Sequence, residues 1–146
     1  MQLKYIKFQF EVVEMPGLIA LIIIICFVVY LVISKNTDKN NAMEIMKNYC
    51  NDEKIVKSVM ANVFSCAKSY RGLLTLTDTA LYFLSESKAK NYELVFKLRY
   101  EEILSHKLYI KIFIEDSNHI IYEINSDNNA VLYQQLSKFL ANVSEM

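Results

Sequence analysis

Glu101-Glu102 offers a pair of carboxylates for general acid–base work, which needs both groups at one site. The flanking residues read as strands, and neighbouring strand side chains point to opposite faces. The two glutamates are therefore expected as solvated residues at a strand start. His106 and His119 stand 13 positions apart, without the short ligand spacing of zinc sites. No serine or cysteine nucleophile has an orienting partner beside it. Cys26, Cys50 and Cys66 form an odd, sparse set with no CxxC pair. That argues against a disulfide framework and for reduced thiols packed as small apolar groups. What remains is basic. Lys68, Tyr70 and Arg71 lie in the glycine-bearing stretch Lys68-Ser69-Tyr70-Arg71-Gly72, which reads as a turn. Lys and Arg bond strongly to phosphate oxygens, and beside an anionic leaflet each adds about 1 kcal/mol of attraction. These three residues are the candidate lipid- or partner-binding site, against the plainer reading of an ordinary solvated turn. No catalytic residue, metal site or cofactor is expected.

Composition sets limits of the same kind. Lys plus Arg and Asp plus Glu are both 16, so the formal net charge is zero and a strongly basic nucleic-acid binder is excluded. The chain has two glycines, too few for a phosphate-cradling loop or a dinucleotide fingerprint. Hydrophobic residues make up 53% and charged residues 22%, so the chain is neither disordered nor of low complexity. Much of the apolar content sits in one early block.

That block runs from Met15 to Ser34, 20 residues without a charge, with Leu18 to Ile33 reading LIALIIIICFVVYLVI. Twenty helical residues span about 30 Å, the thickness of a bilayer hydrocarbon core. Within lipid every backbone amide must be satisfied inside the segment, which selects a helix. Pro16 is expected in the first turn, where its missing N–H costs little. A buried core helix would be amphipathic or shorter. A secretory signal would have a shorter apolar run and a small-residue cleavage site, whereas Leu31-Val32-Ile33-Ser34 precedes Lys35. A lipoprotein signal would need its cysteine just after the run, not at Cys26. The block therefore reads as one transmembrane helix over 15–34, after an N-terminal tail over 1–14. Lys4 and Lys7 precede it, and Lys35, Lys39 and Lys47 follow it. The positive-inside rule then favours a cytoplasmic C-terminal part at the cell membrane.

Residues 35–42 are polar and break the periodicity, so they read as a linker, with a domain over 43–146. That domain has 12 Lys or Arg against 13 Asp or Glu. Met43, Met46 and Cys50 suggest a short helix. Ile55 to Ala67 reads as a strand, and Leu73–Thr77 and Ala80–Leu84 as a hairpin around Asp78-Thr79. Ser85 to Asn91 is a polar loop. Leu94, Phe96, Leu98 and Tyr100 alternate with Glu93, Val95, Lys97 and Arg99, the mark of a strand with one buried face. Leu104-His106-Leu108, Ile110-Ile112-Ile114 and Ile120-Tyr122-Ile124 follow in the same pattern. Asn125-Ser126-Asp127-Asn128 supplies cap residues for a last helix, in which Leu132, Leu136, Phe139, Leu140 and Val143 share one face. The fold class is thus α+β: about seven short antiparallel strands, then a C-terminal amphipathic helix able to plug the open end of a bent sheet.

This order resembles the pleckstrin-homology (PH) superfold. Arg71-Gly72-Leu73-Leu74-Thr75-Leu76-Thr77-Asp78, followed by Leu81-Tyr82-Phe83, is similar to the hairpin of GRAM domains and bacterial PH-like domains. Phe96-Lys97-Leu98-Arg99-Tyr100-Glu101-Glu102-Ile103 stands where that family has its Tyr-x-x-Ile segment. The resemblance covers about Ile55 to Leu140, and it departs at Thr79-Ala80, where members often carry a basic residue. It implies an antiparallel barrel or sandwich capped by a helix, and a non-catalytic module for lipid head groups or proteins. The Ile, Lys and Asn richness suggests a bacterial source. The reading is a single-pass, membrane-tethered binding module whose partners are the bilayer and anionic lipid head groups or a membrane protein. The alternative is an accessory subunit of a membrane complex with no lipid ligand.

Overall fold

The computed structural model describes residues 2–87 and 91–144. Two compact units divide after Asp38. Helix α1 (Gln2–Cys50) is continuous through the segment expected as a tail and the one expected as a linker. No glycine or proline follows Gly17 before its end, and asparagines alone are too weakly unfavourable to stop a growing helix. Thr37 assists by donating its hydroxyl to the Ile33 carbonyl at 2.9 Å. Pro16 accordingly lies inside the helix rather than in its first turn, and removes one backbone bond there. From Leu18 to Ile33 the large apolar side chains are exposed, and α1 is long and apolar enough to cross a membrane.

In the second unit, Asn51 adopts a left-handed conformation (φ 50°) that ends α1. Strands β1 (Ile55–Ser65), β2 (Lys68–Thr77), β3 (Ala80–Glu86) and β4 (Tyr92–Arg99) follow. A 3₁₀ turn (Tyr100–Glu102) leads to β5 (Ile103–Leu108), β6 (Ile112–Asp116), β7 (Ile121–Ser126) and helix α2 (Asn129–Ser144). The seven strands form one antiparallel sheet in the order β4-β3-β2-β1-β7-β6-β5. Of the polar loop read at Ser85–Asn91, the first two residues extend β3, and residues 88–90 lie outside the described residues.

Period-two alternation gives the sheet two apolar faces. The inner face holds Val63, Leu74, Leu76, Phe83, Ile112, Ile114 and Ile124, with Leu132 and Leu136 of α2 buried in the same cluster. Phe139, Leu140 and Val143 pack against that cluster from the same helix face, as expected. Asn128 caps α2 through its side-chain oxygen, which accepts the Val131 N–H at 3.2 Å. On the outer face, Leu73, Tyr82, Leu84 and Tyr92 are covered by Ala42, Met46 and Cys50, three residues at i, i+4 and i+8 on the last turns of α1.

Two local expectations fail. Lys68–Gly72 is not a turn but the start of β2. The reversal is made by Cys66 and Ala67, both with positive φ (50° and 61°). A two-residue hairpin turn with both φ values positive normally selects Asn-Gly, so this one carries strain and no sequence signature. Glu101-Glu102 is not a strand start but part of the 3₁₀ turn, where Glu102 accepts the Arg99 N–H at 2.8 Å and Glu101 pairs with Arg99 at 3.5 Å.

Gly72 is needed for close approach. A Cβ there would lie 1.7 Å from the Leu84 carbonyl oxygen of β3. Gly72→Ala is expected to destabilise the domain by roughly 3 kcal/mol or more, since backbone must move to admit the methyl. Urea unfolding of the full chain in detergent checks this, and an unchanged midpoint would contradict it.

Candidate binding surface

Sheet parity decides where the three candidate residues go. Lys68 and Tyr70 share one face of β2 and Arg71 takes the other. Tyr70 is half-buried and packs against the inner core. Lys68 is exposed beside the Cys66-Ala67 turn. Arg71 is exposed on the outer face, paired in register with Asn62 of β1. The structure does not bring the three together. Cys50 is buried as expected of a packed thiol, whereas Cys66 is exposed.

Arg71 instead marks where cover ends. Its neighbours one step along, Met60 and Leu73, belong to the cluster under α1. Beyond them the outer face of β1, β7, β6 and β5 is open. A row across it reads Phe64, Glu123, Phe113 and Lys107, register partners on successive strands. A parallel row reads Arg71, Asn62 and Asn125. Phe64 is 47% exposed and Ile121 58%. Lys111 bonds Glu123 across the middle. At the end of this face the β5–β6 turn carries Tyr109 and Ile110. Tyr109 meets Phe113 edge-on with ring centroids 5.8 Å apart. Aromatic, apolar and basic side chains on a face with paired charges have the composition of an interaction surface rather than a catalytic cleft.

The ionisable groups within the fold are occupied by structure. The Glu53 carboxylate, just after α1, accepts hydrogen bonds from Thr77 Oγ1 (2.6 Å), Tyr82 Oη (2.7 Å) and Lys97 Nζ (2.8 Å). Burial raises its pKa, but the bonds from Lys97, Thr77, Thr79 and Tyr82 outweigh burial and bring it to about 2. Burial, with Glu53 nearby, pushes the Cys50 thiol up to about 11, so it stays a neutral apolar group. Tyr100 donates to the Thr77 carbonyl at 2.7 Å and stacks on Phe139 of α2 at 5.1 Å, and burial raises its pKa. Asp116 is buried and accepts from the Asn118 and Ile120 amides and from Tyr122, whose pKa burial pushes up to about 12. His106 lies 5.4 Å from the Tyr133 ring of α2, and burial lowers its pKa. His119 pairs with Glu115 at an exposed turn. Sequence reasoning missed the Glu53 cluster because its four members come from separate elements. The Tyr-x-x-Ile text did locate Tyr100.

No protein-family model and no curated protein matches the chain. Solved structures do. The C-terminal domain of an unknown protein from Leishmania infantum superposes with a TM-score of 0.54 at 19% identity, over 67% of this chain and 97% of that one. The DH/PH fragment of PDZRHOGEF, solved with human RhoA, gives 0.52 at 17% identity over 62% of this chain. A structure of inhibitor-bound Vav1 gives 0.52 at 10% identity over 71% of it. The chain spans about a third of the Vav1 structure and 29% of the PDZRHOGEF one. At these identities the likeness concerns the fold, which is PH-like.

The Glu53 cluster has a measurable consequence. Folding lowers the Glu53 pKa from 4.5 to about 2. Its stabilisation is therefore full above pH 4.5 and lost as pH falls toward 2, in total on the order of 3 kcal/mol. Glu53→Gln should cost about 2–4 kcal/mol at pH 7 and flatten the stability profile across that window. Equal pH profiles for the two chains in urea melts would contradict this.

Proposed function

We propose that the protein is a single-pass, membrane-anchored binding module of PH-like, GRAM-like type without catalytic activity. Residues 15–34 cross the membrane, and residues 43–146 form a cytoplasmic recognition domain. The observation that carries this reading is the combination in one chain of an exposed apolar helix of membrane-crossing length and a PH-like sheet whose outer face is half open. A helical anchor raises the local concentration of whatever lies at the membrane, so the module needs little intrinsic affinity. Arg71 on the outer face and Lys68 beside the β1–β2 turn each supply a cation for anionic head groups, with Tyr70 on the same side of β2 as Lys68. Phe64 and Ile121 on the same open sheet favour, as a second reading, a membrane-protein partner seated on that face, which is the role of an accessory subunit.

Two measurements on the full chain test this. The chain should stay in the membrane pellet after alkaline carbonate extraction, and release into the supernatant would refute anchoring. Cys66 is exposed and Cys50 buried, so a membrane-impermeant maleimide should label Cys66 only after cells are opened. Labelling in intact cells would place the domain outside.

A further inference from the structure

We propose that the β5–β6 turn is a membrane-contacting knuckle. Tyr109 and Ile110 seat in the interfacial zone of the bilayer that anchors the chain, with the Lys107 ammonium among phosphate head groups. The inference rests on the anchoring proposed above.

Tyr109 is 70% and Ile110 89% exposed, the most exposed large apolar side chains among the described residues. They are held there rather than left loose. Leu108 pairs with Ile112, so the turn is only three residues long, and the Tyr109 N–H bonds the Lys111 carbonyl at 3.0 Å. The Asn129 side chain, at the start of α2, donates to the Ile110 carbonyl at 2.8 Å and to Asn125 Oδ1 at 3.1 Å. Its oxygen accepts from the Ser126 amide and hydroxyl at 2.8 and 2.9 Å. One residue thus fixes the turn to β7 and α2 while two apolar side chains are presented outward. Tyr109 adds an edge contact to Phe113, which sets its ring direction.

Size favours a bilayer over a protein as occupant. Without the open face beyond Phe113, the two side chains of the turn tip offer about 300 Å² at most, whereas a standard protein interface buries about 800 Å² on each partner. A bilayer interface takes single apolar tips flanked by lysines, whose stems lie along the acyl boundary while their heads stay wet. Lys107 is exposed beside the turn, and Lys111 is already neutralised by Glu123. The head-group preference therefore comes from Lys107 with a smaller share from Lys111. The chain supplies proximity, since only four residues separate Ser34 from the start of the second unit at Lys39.

The chain contains no tryptophan, which makes a direct test possible. Full-length Tyr109→Trp would be reconstituted into phosphatidylcholine–phosphatidylglycerol vesicles with or without bromine on the acyl chains. Val95→Trp, on edge strand β4, serves as reference. Tyr109→Trp should emit at shorter wavelength and lose roughly half or more of its intensity to brominated lipid, as expected of a ring 5–10 Å deep. Val95→Trp should not. Adding Ile110→Asp to Tyr109→Trp should restore the intensity. Equal quenching at the two positions, or none at Tyr109→Trp, overturns the proposal while the chain remains carbonate-resistant in the vesicles. Loss of the chain from the vesicles in carbonate would instead refute the anchoring on which it rests.

Discussion

A curled sheet of apolar strands has two faces, and the chain has little material with which to keep both from water. Helix α2 fills the inner face with Leu132 and Leu136. The outer face is covered only as far as the last turns of α1 reach, through Ala42, Met46 and Cys50. Burying three side chains of this size contributes several kcal/mol. They also have to sit in one register, and that is the task of Glu53. Its carboxylate ties the chain just after α1 to β2, β3 and β4 through Thr77, Tyr82 and Lys97. A partly buried carboxylate with one bond would be a liability. With several donors it is held ionised and fixes geometry.

This arrangement makes the end of α1 part of the domain's core. Helix α1 therefore contributes residues to both units, and a boundary drawn at residue 43 would remove Ala42, which is fully buried. The polar stretch 35–42 looks like a break in the sequence because its residues are surface-like. In a helix already nucleated by a long apolar run, such residues cost only tenths of a kcal/mol each, and packing at Ala42 and Met46 repays them.

Much of the fold was legible. Alternation along Phe96–Tyr100 and Ile112–Ile124 marks buried faces directly, and the stripe in α2 follows from its spacing; Leu94, expected on the same face as Phe96, instead packs against the α1 cluster because a bulge in the β3–β4 pairing shifts the register between them. Gly72 and Tyr100 stand out through the hairpin and Tyr-x-x-Ile text, and each proves to have a steric or hydrogen-bonding reason. The β1–β2 reversal was not legible, because Cys66-Ala67 holds a conformation that its residue types disfavour, while nearby Gly72 draws attention to itself. The open outer face was hidden for a different reason. Period-two patterning tells which residues share a face but not whether a helix from elsewhere covers it. Leu73 and Arg71 lie on the same side of β2, one under α1 and one in the open. Only the tertiary path of α1 separates them.

The tight β1–β2 turn also constrains how this domain can recognise anything. Two residues with strained φ leave no loop to fold around a ligand, and Lys68 next to them stands alone rather than in a cradle. A solitary cation on a solvated surface holds a phosphate weakly. Recognition through the open outer face, by contrast, would use rigid backbone and many small contacts, each of modest strength. Such contacts fail for a freely diffusing protein, which loses its translational freedom on binding. They suffice for a domain already confined beside its partner, as the proposed anchoring would confine this one. Under the proposed anchoring, the apolar helix would make weak contacts on the half-covered sheet useful and reversible.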